Sequence, residues 1–168
     1  MTSADLPDFA QKICGRAEVL ARLAALARPV VFTNGVFDVL HRGHVSYLDR
    51  ARALGGAKGS LIVALNSDAS AKRLGKGPDR PLNNEIDRAM VMAALESVSL
   101  VTWFDEDTPL EIIREIKPDM LVKGGDYDMG KLAETQVVLA YGGTALALPF
   151  VDGYSTTALV QKIRQGQS

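Results

Sequence analysis

One cysteine is all that 168 residues contain. Cys14 has no partner within the chain, so a disulfide framework is excluded and a reducing compartment is expected. Long apolar runs are also missing. None approaches the roughly 18 residues that would carry a helix across a bilayer, so no membrane segment is expected. Asp5 and Asp8 stand where a secretory signal would be basic, which points to the cytoplasm. Charge of one sign is lacking as well: 19 Lys and Arg against 20 Asp and Glu leave −1, with no basic stripe for nucleic acid. No G-x-G-x-x-G follows the first apolar run, so hydride transfer on a dinucleotide is not expected. No Ser or Cys sits on a G-x-S-x-G elbow, which argues against acyl transfer. Histidine is limited to His41 and His44, not spaced as in H-E-x-x-H, so a zinc site would need carboxylates or Cys14 from elsewhere. No internal repeat and no linker divides the chain.

What is present has an ordinary globular balance, 47% apolar and 23% charged, expected as one domain over 1–168. Residues 9–27 carry Ile13, Val19, Leu20, Leu23 and Leu26, predicting a leading helix within an N-terminal extension, 1–28, with Cys14 as a small apolar residue in it. Strands are predicted at 29–32, 61–65, 98–104, 119–123 and 144–150. Between them, Val45, Leu48, Ala51 and Leu54 mark one helix. Asn83 or Asn84 caps another through Ile86, Met90, Val91 and Leu95. Thr108, Pro109 and Glu111 open a third, helices follow at 133–141 and 155–163, and 69–84 reads as a loop. Apolar strands alternating with helices predict an α/β fold: a Rossmann-like, doubly wound, parallel five-stranded sheet with helices on both faces. In such sheets ligands bind beyond the carboxyl ends of the strands, where strand order reverses. Asn34-Gly35, Asn66-Ser67-Asp68, Phe104-Asp105, Lys123-Gly124-Gly125-Asp126 and Val151-Asp152-Gly153 all fall at those ends.

The chemistry concentrates in Thr33-Asn34-Gly35-Val36-Phe37-Asp38-Val39-Leu40-His41-Arg42-Gly43-His44, a strand-to-helix crossing. Two imidazoles three residues apart can share one helix face. Free N–H groups at the same helix start make this a site for anionic oxygen. Residues 55–60 lack the spacing of a P-loop. Lys72, Arg73, Lys76 and Arg80, with Arg88 on the next helix, supply cations near the same edge, or simply a solvated loop.

Gly35-Val36-Phe37-Asp38 followed by His41-Arg42-Gly43-His44 resembles the signature of the cytidylyltransferase-like nucleotidyltransferases. Tyr154-Ser155-Thr156-Thr157 resembles their second element, a Ser/Thr-rich opening of the last helix. Thr33-Asn34-Gly35, Asn66-Ser67-Asp68, Arg80-Pro81, Lys123-Gly124-Gly125-Asp126-Tyr127 and Phe150-Val151-Asp152-Gly153 look like the adenylyltransferase domain of ADP-heptose synthases, in a stand-alone form. Phe150 stands where the cytidylyltransferase branch carries a basic residue. The resemblance implies that ATP and D-glycero-beta-D-manno-heptose 1-phosphate give ADP-heptose and pyrophosphate, a step towards lipopolysaccharide. It implies catalytic roles for His41, His44 and Lys72. Nucleotide and phosphate contacts are implied for Thr33, Asn34, Gly35, Val36, Phe37, Gly43, Arg88, Lys123, Gly125, Asp126, Ser155, Thr156 and Thr157. Asp38, Asn66, Asp68 and Arg80 fall on the substrate side; Asp38 either braces the loop or meets a substrate hydroxyl. It implies Mg²⁺ held by ATP phosphates rather than by the protein, a homodimer, and a separate heptose kinase. Two other readings remain open: a related enzyme of the glycerol 3-phosphate cytidylyltransferase or flavin mononucleotide adenylyltransferase type, and a non-catalytic nucleotide-sensing module.

Overall fold

The apolar runs form parallel strands β1 (Val30–Gly35), β2 (Ser60–Asn66), β3 (Leu100–Phe104), β4 (Met120–Gly124) and β5 (Thr144–Leu148), in the order β3-β2-β1-β4-β5. The computed structural model describes residues 6–75, 77, 79–149, 151 and 153–166; Lys76, Phe150 and Asp152 lie outside them. β1 pairs with β2 on one side, Val31 beside Leu61, and with β4 on the other, Val31 beside Met120. Successive side chains point to opposite faces, and both faces are covered, which is why the strands read as unbroken apolar runs. On one face Phe32, Ile62, Leu100 and Leu121 pack with Ile112, Ile113 and Ile116 of α5 (Leu110–Ile116) and Val138 of α6 (Ala133–Ala140). On the other, Val31, Val63, Leu65 and Val122 pack with Tyr47, Leu48 and Ala51 of α2 (Arg42–Leu54) and Met92 and Ala93 of α4 (Glu85–Ala93). The last helix, α7 (Thr156–Gln165), buries no residue. Among the described residues no helix is long and apolar enough to cross a membrane.

Several elements depart from expectation. The leading segment is not one helix. A 3-10 turn over Asp8–Lys12 gives way to extended chain, in which Ile13 bridges to Val101 and the Cys14 N–H donates to the Val101 carbonyl at 3.0 Å. Pairing with the open edge of β3 outweighs helix propensity there, and only α1 (Val19–Leu23) remains α-helical. The 69–84 stretch is not all loop. α3 (Asp68–Arg73) begins it, capped by Ser67, whose Oγ accepts from the Ser70 N–H at 3.1 Å.

α4 is capped by Asn84, whose side chain accepts from the Asp87 N–H at 2.9 Å. Its inner face is Arg88, Ala89, Met92 and Ala93, while Ile86 and Val91 are 66% and 53% exposed. Small alanines that approach the sheet, with a fully partnered arginine, displace the larger apolar residues. On α2 Val45 is exposed and Tyr47 takes the inner position. α5 starts after Pro109 with no side-chain cap, and Glu111 pairs with Arg114 instead of closing a capping box.

Candidate active site

Strand order reverses between β1 and β4, and a cavity of about 530 Å³ opens above their carboxyl ends. One wall is the crossing from β1 to α2. Phe37 has a left-handed backbone, φ 47°, and a Cβ at Gly35 would lie 2.9 Å from its ring. Glycine at 35 therefore lets the ring fold back, and it meets the His44 ring edge-on with centroids 5.5 Å apart. His41, the residue before α2, stacks on His44 at 3.9 Å with 23° between ring planes. A Cβ at Gly43 would come within 3.0 Å of the His41 ring and 3.1 Å of the Tyr154 Cβ. A side chain at 43 would press on both the His41 ring and the segment before α7. Burial alone pushes His41 below its ordinary value, so its imidazole is neutral at pH 7.

The opposite wall is the start of α7. Ser155 caps it, accepting from the Ala158 N–H at 3.4 Å. The Thr156 hydroxyl donates to the Val39 carbonyl at 3.0 Å, tying α7 to the β1–α2 loop, and Thr157 lines the cavity. Arg42 Nη1 donates to the Tyr154 hydroxyl at 3.3 Å and its guanidinium lies over that ring. Two helix N-termini thus face one space, an arrangement that attracts anions. The floor is polar: Asn34, Asn66 and Lys123 line it. Asn66 Nδ2 donates to the Ser70 hydroxyl at 3.0 Å. Lys123 is buried and its ammonium lowered by that burial, against the opposing pull of Glu134.

Other residues singled out in the sequence hold the walls. The Asp38 carboxylate accepts from Arg80 Nε at 2.6 Å, the Leu82 N–H at 2.8 Å and the Asn83 N–H at 2.9 Å. Of its two expected roles, the structure displays the brace. Arg88, 2% exposed, donates to the carbonyls of Val36 at 2.7 Å and Asn83 at 3.0 Å and to Asp68 at 2.7 Å. It supports the Val36 backbone from behind and does not line the cavity. Thr33 is also behind the wall, its hydroxyl 2.6 Å from that of Tyr47, which donates to the Val122 carbonyl at 3.1 Å. Lys72 is exposed on α3 and Asp126 is exposed after β4; neither lines the cavity, nor does Gly125, which has φ 116° and an N–H donating to the Leu148 carbonyl.

Tyr47, Tyr127, Asp107 and Pro109 line the space without having been singled out as site residues. Tyr47 carried a usable signal, three residues after His44 on one helix, and Tyr127 closes a segment quoted for the resemblance; Asp107 and Pro109, from the loop before α5, carried none. Among the described residues no three His, Cys, Asp or Glu cluster to hold a metal.

Residues 32–162 match the model of the cytidylyltransferase-like family. The chain belongs to that family. It is 59% identical over 160 residues to the D-beta-D-heptose 1-phosphate adenylyltransferase of Bordetella bronchiseptica, across 94% of this chain and 97% of that protein. It is 55% identical over 133 residues to the bifunctional protein HldE of a Marinomonas species, but there the match covers 79% of this chain and 27% of the relative. Among solved structures, the lipopolysaccharide core biosynthesis protein of Thermoplasma volcanium aligns with a TM-score of 0.59 and 28% identity, over 75% of this chain and 98% of that one. The two motif segments form facing walls of the cavity at the strand reversal.

Proposed function

We propose that the protein transfers the adenylyl group of ATP to D-glycero-beta-D-manno-heptose 1-phosphate, giving ADP-heptose and pyrophosphate. The observation that carries this reading is the stacked His41–His44 pair facing the Ser155–Thr157 start of α7. It occurs in a chain 59% identical, over nearly its whole length, to a protein named as that adenylyltransferase. An oxygen of the sugar phosphate attacks the α-phosphorus of ATP in line. The new P–O bond forms as the bond to the bridging oxygen breaks, and pyrophosphate leaves with the electron pair. No covalent enzyme intermediate is needed, so the protein contributes positioning and charge stabilisation. His44 and His41 donate to phosphate oxygens as charge builds, and the backbone N–H groups that open α2 and α7 hold the remaining oxygens.

Mg²⁺ fits this site as the counter-ion of ATP, bound through phosphate oxygens and water, since the described residues supply no carboxylate cage. A separate kinase acting on the anomeric hydroxyl would supply the sugar 1-phosphate, and the reaction is placed in the cytoplasm, where ATP and a free Cys14 thiol coexist. The assembly is taken to be a homodimer.

The test is pyrophosphate release with ATP or CTP against heptose 1-phosphate, glycerol 3-phosphate and flavin mononucleotide. Release is expected with ATP and heptose 1-phosphate only. His44→Ala is expected to lower kcat by about 10²–10³-fold, the cost of losing one oxyanion donor, with the melting temperature nearly unchanged. Release with another pair would replace the substrate, and ATP binding without release would make the chain a sensing module.

A further inference from the structure

Beneath the cavity lies a short chain of polar groups to which the reaction above assigns no step. Asn34 and Lys123 are the next-to-last residues of β1 and β4, each two residues beyond the paired Phe32 and Leu121, so both project on the α6 face of the sheet. Lys123 Nζ donates to Asn34 Oδ1 at 2.6 Å and lies 3.5 Å from Glu134 Oε1, in the first turn of α6. Lys123 and Glu134 are each 8% exposed. Glu134 is the one ion-pair partner of Lys123 among the described residues. The cavity is also lined by His41, just before α2, by His44 on it, by Asp38 with Arg80, and by Asp107.

An ammonium can only donate, so it decides which end of the Asn34 amide it meets: the oxygen turns to Lys123 and the NH₂ is left for the cavity. Among the described residues that NH₂ has no partner, and Asn34 lines the cavity. Were the amide reversed, two donors would face each other and the oxygen would confront an incoming anion. We propose that Glu134, Lys123 and Asn34 form an orienting relay, with Asn34 donating from Nδ2 to a phosphate oxygen of the bound substrate and Glu134 acting as a positioning residue through Lys123. The inference rests on the reading of this cavity as a phosphate site. It names the atom by which Asn34 makes the phosphate contact that the resemblance implies, and it gives a role to Glu134, which lies outside both motif segments and does not line the cavity.

Asn34→Asp separates contact from donation. Its carboxylate keeps and strengthens the pairing with Lys123 but puts an acceptor where the donor was. The expected result is a melting temperature equal to or above the parent's, with kcat/KM reduced about a hundredfold and a similar loss of affinity for inorganic tripolyphosphate by calorimetry. Glu134→Gln removes the carboxylate from a buried ammonium, so Lys123 loses its proton at lower pH. The alkaline limb of kcat/KM, and of tripolyphosphate affinity, is expected to move to lower pH, an effect that simple loosening of α6 would not produce.

Parent-like turnover and tripolyphosphate affinity in folded Asn34→Asp would overturn the relay, as would an unmoved alkaline limb in Glu134→Gln. If Asn34→Asp does not fold, the Glu134→Gln profile decides alone. If the parent releases no pyrophosphate from any pair yet binds tripolyphosphate, and Asn34→Asp loses that binding, adenylyl transfer fails while the relay stands. A parent that binds no tripolyphosphate overturns the relay itself.

Discussion

In the free protein the His41 imidazole is neutral at pH 7. Burial holds its pKa below the ordinary histidine value, and no acidic side chain opposes that shift. If ATP phosphates sit beside the imidazole as proposed, they favour its charged form and raise the pKa, and ATP binding near pH 7 is then expected to be coupled to proton uptake. Calorimetry of ATP binding in buffers of different ionisation enthalpy is expected to give a non-zero slope corresponding to uptake, and His41→Gln to remove most of it. A parent slope of zero would mean that His41 meets the nucleotide as a neutral donor or not at all. The histidines, Gly43 and Ser155 were legible in the sequence because each motif is contiguous and each residue type has few other uses at a helix start. Asp38 and Arg88 show where that legibility stops. A charged residue near a site can serve a ligand or a backbone carbonyl, and nothing in the order of residues says that Arg88 would spend its donors on Val36, Asn83 and Asp68.

Asp38 matters most at the scale of elements. Its buried carboxylate gathers Arg80 and the N–H groups of Leu82 and Asn83, and its carbonyl accepts from Asn83 Nδ2 at 2.8 Å. The segment leading into α4 is thereby fastened to the β1–α2 loop. Asp38→Ala would strand a mostly buried guanidinium and two amides, with an expected loss of about 3–5 kcal/mol in urea unfolding. Asp38→Asn, which keeps one acceptor oxygen, is expected to lose less. If both variants unfold at the parent's midpoint, the brace carries no weight.

The strands were readable because two covered faces make them apolar end to end, and the caps at Asn84 and Ser155 fell where short polar side chains preceded helical runs. The leading segment and α3 were not. In the first, pairing with Val101 from a distant strand overrode local helix preference. The second is six residues long and too short to display a stripe. On α4, Ile86 and Val91 have the periodicity of a core face, but the helix turns its alanines and Arg88 to the sheet; periodicity cannot tell which apolar set will be covered.

At the scale of the whole molecule, the β3-β2-β1 half is built from neighbouring crossovers, whereas the β1–β4 seam joins distant parts of the chain. Asn34 and Lys123 are 89 residues apart, Arg42 and Tyr154 are 112 apart, and Val39 and Thr156 are 117 apart. Contacts at such separations close large loops and tend to form after local ones. The site therefore has a history as well as a geometry. During refolding the β1–β3 half can acquire its secondary structure while the cavity still lacks Lys123 from its floor and the α7 wall. Stopped-flow refolding followed by far-UV circular dichroism and by a fluorescent ATP analogue is expected to show binding lagging behind the dichroism. Coincident traces would mean that both halves assemble in one step. With the lag, nascent chains would gain the ability to hold nucleotide only as their last strands and helix dock, so ATP would stabilise finished molecules and leave partly folded ones unaided.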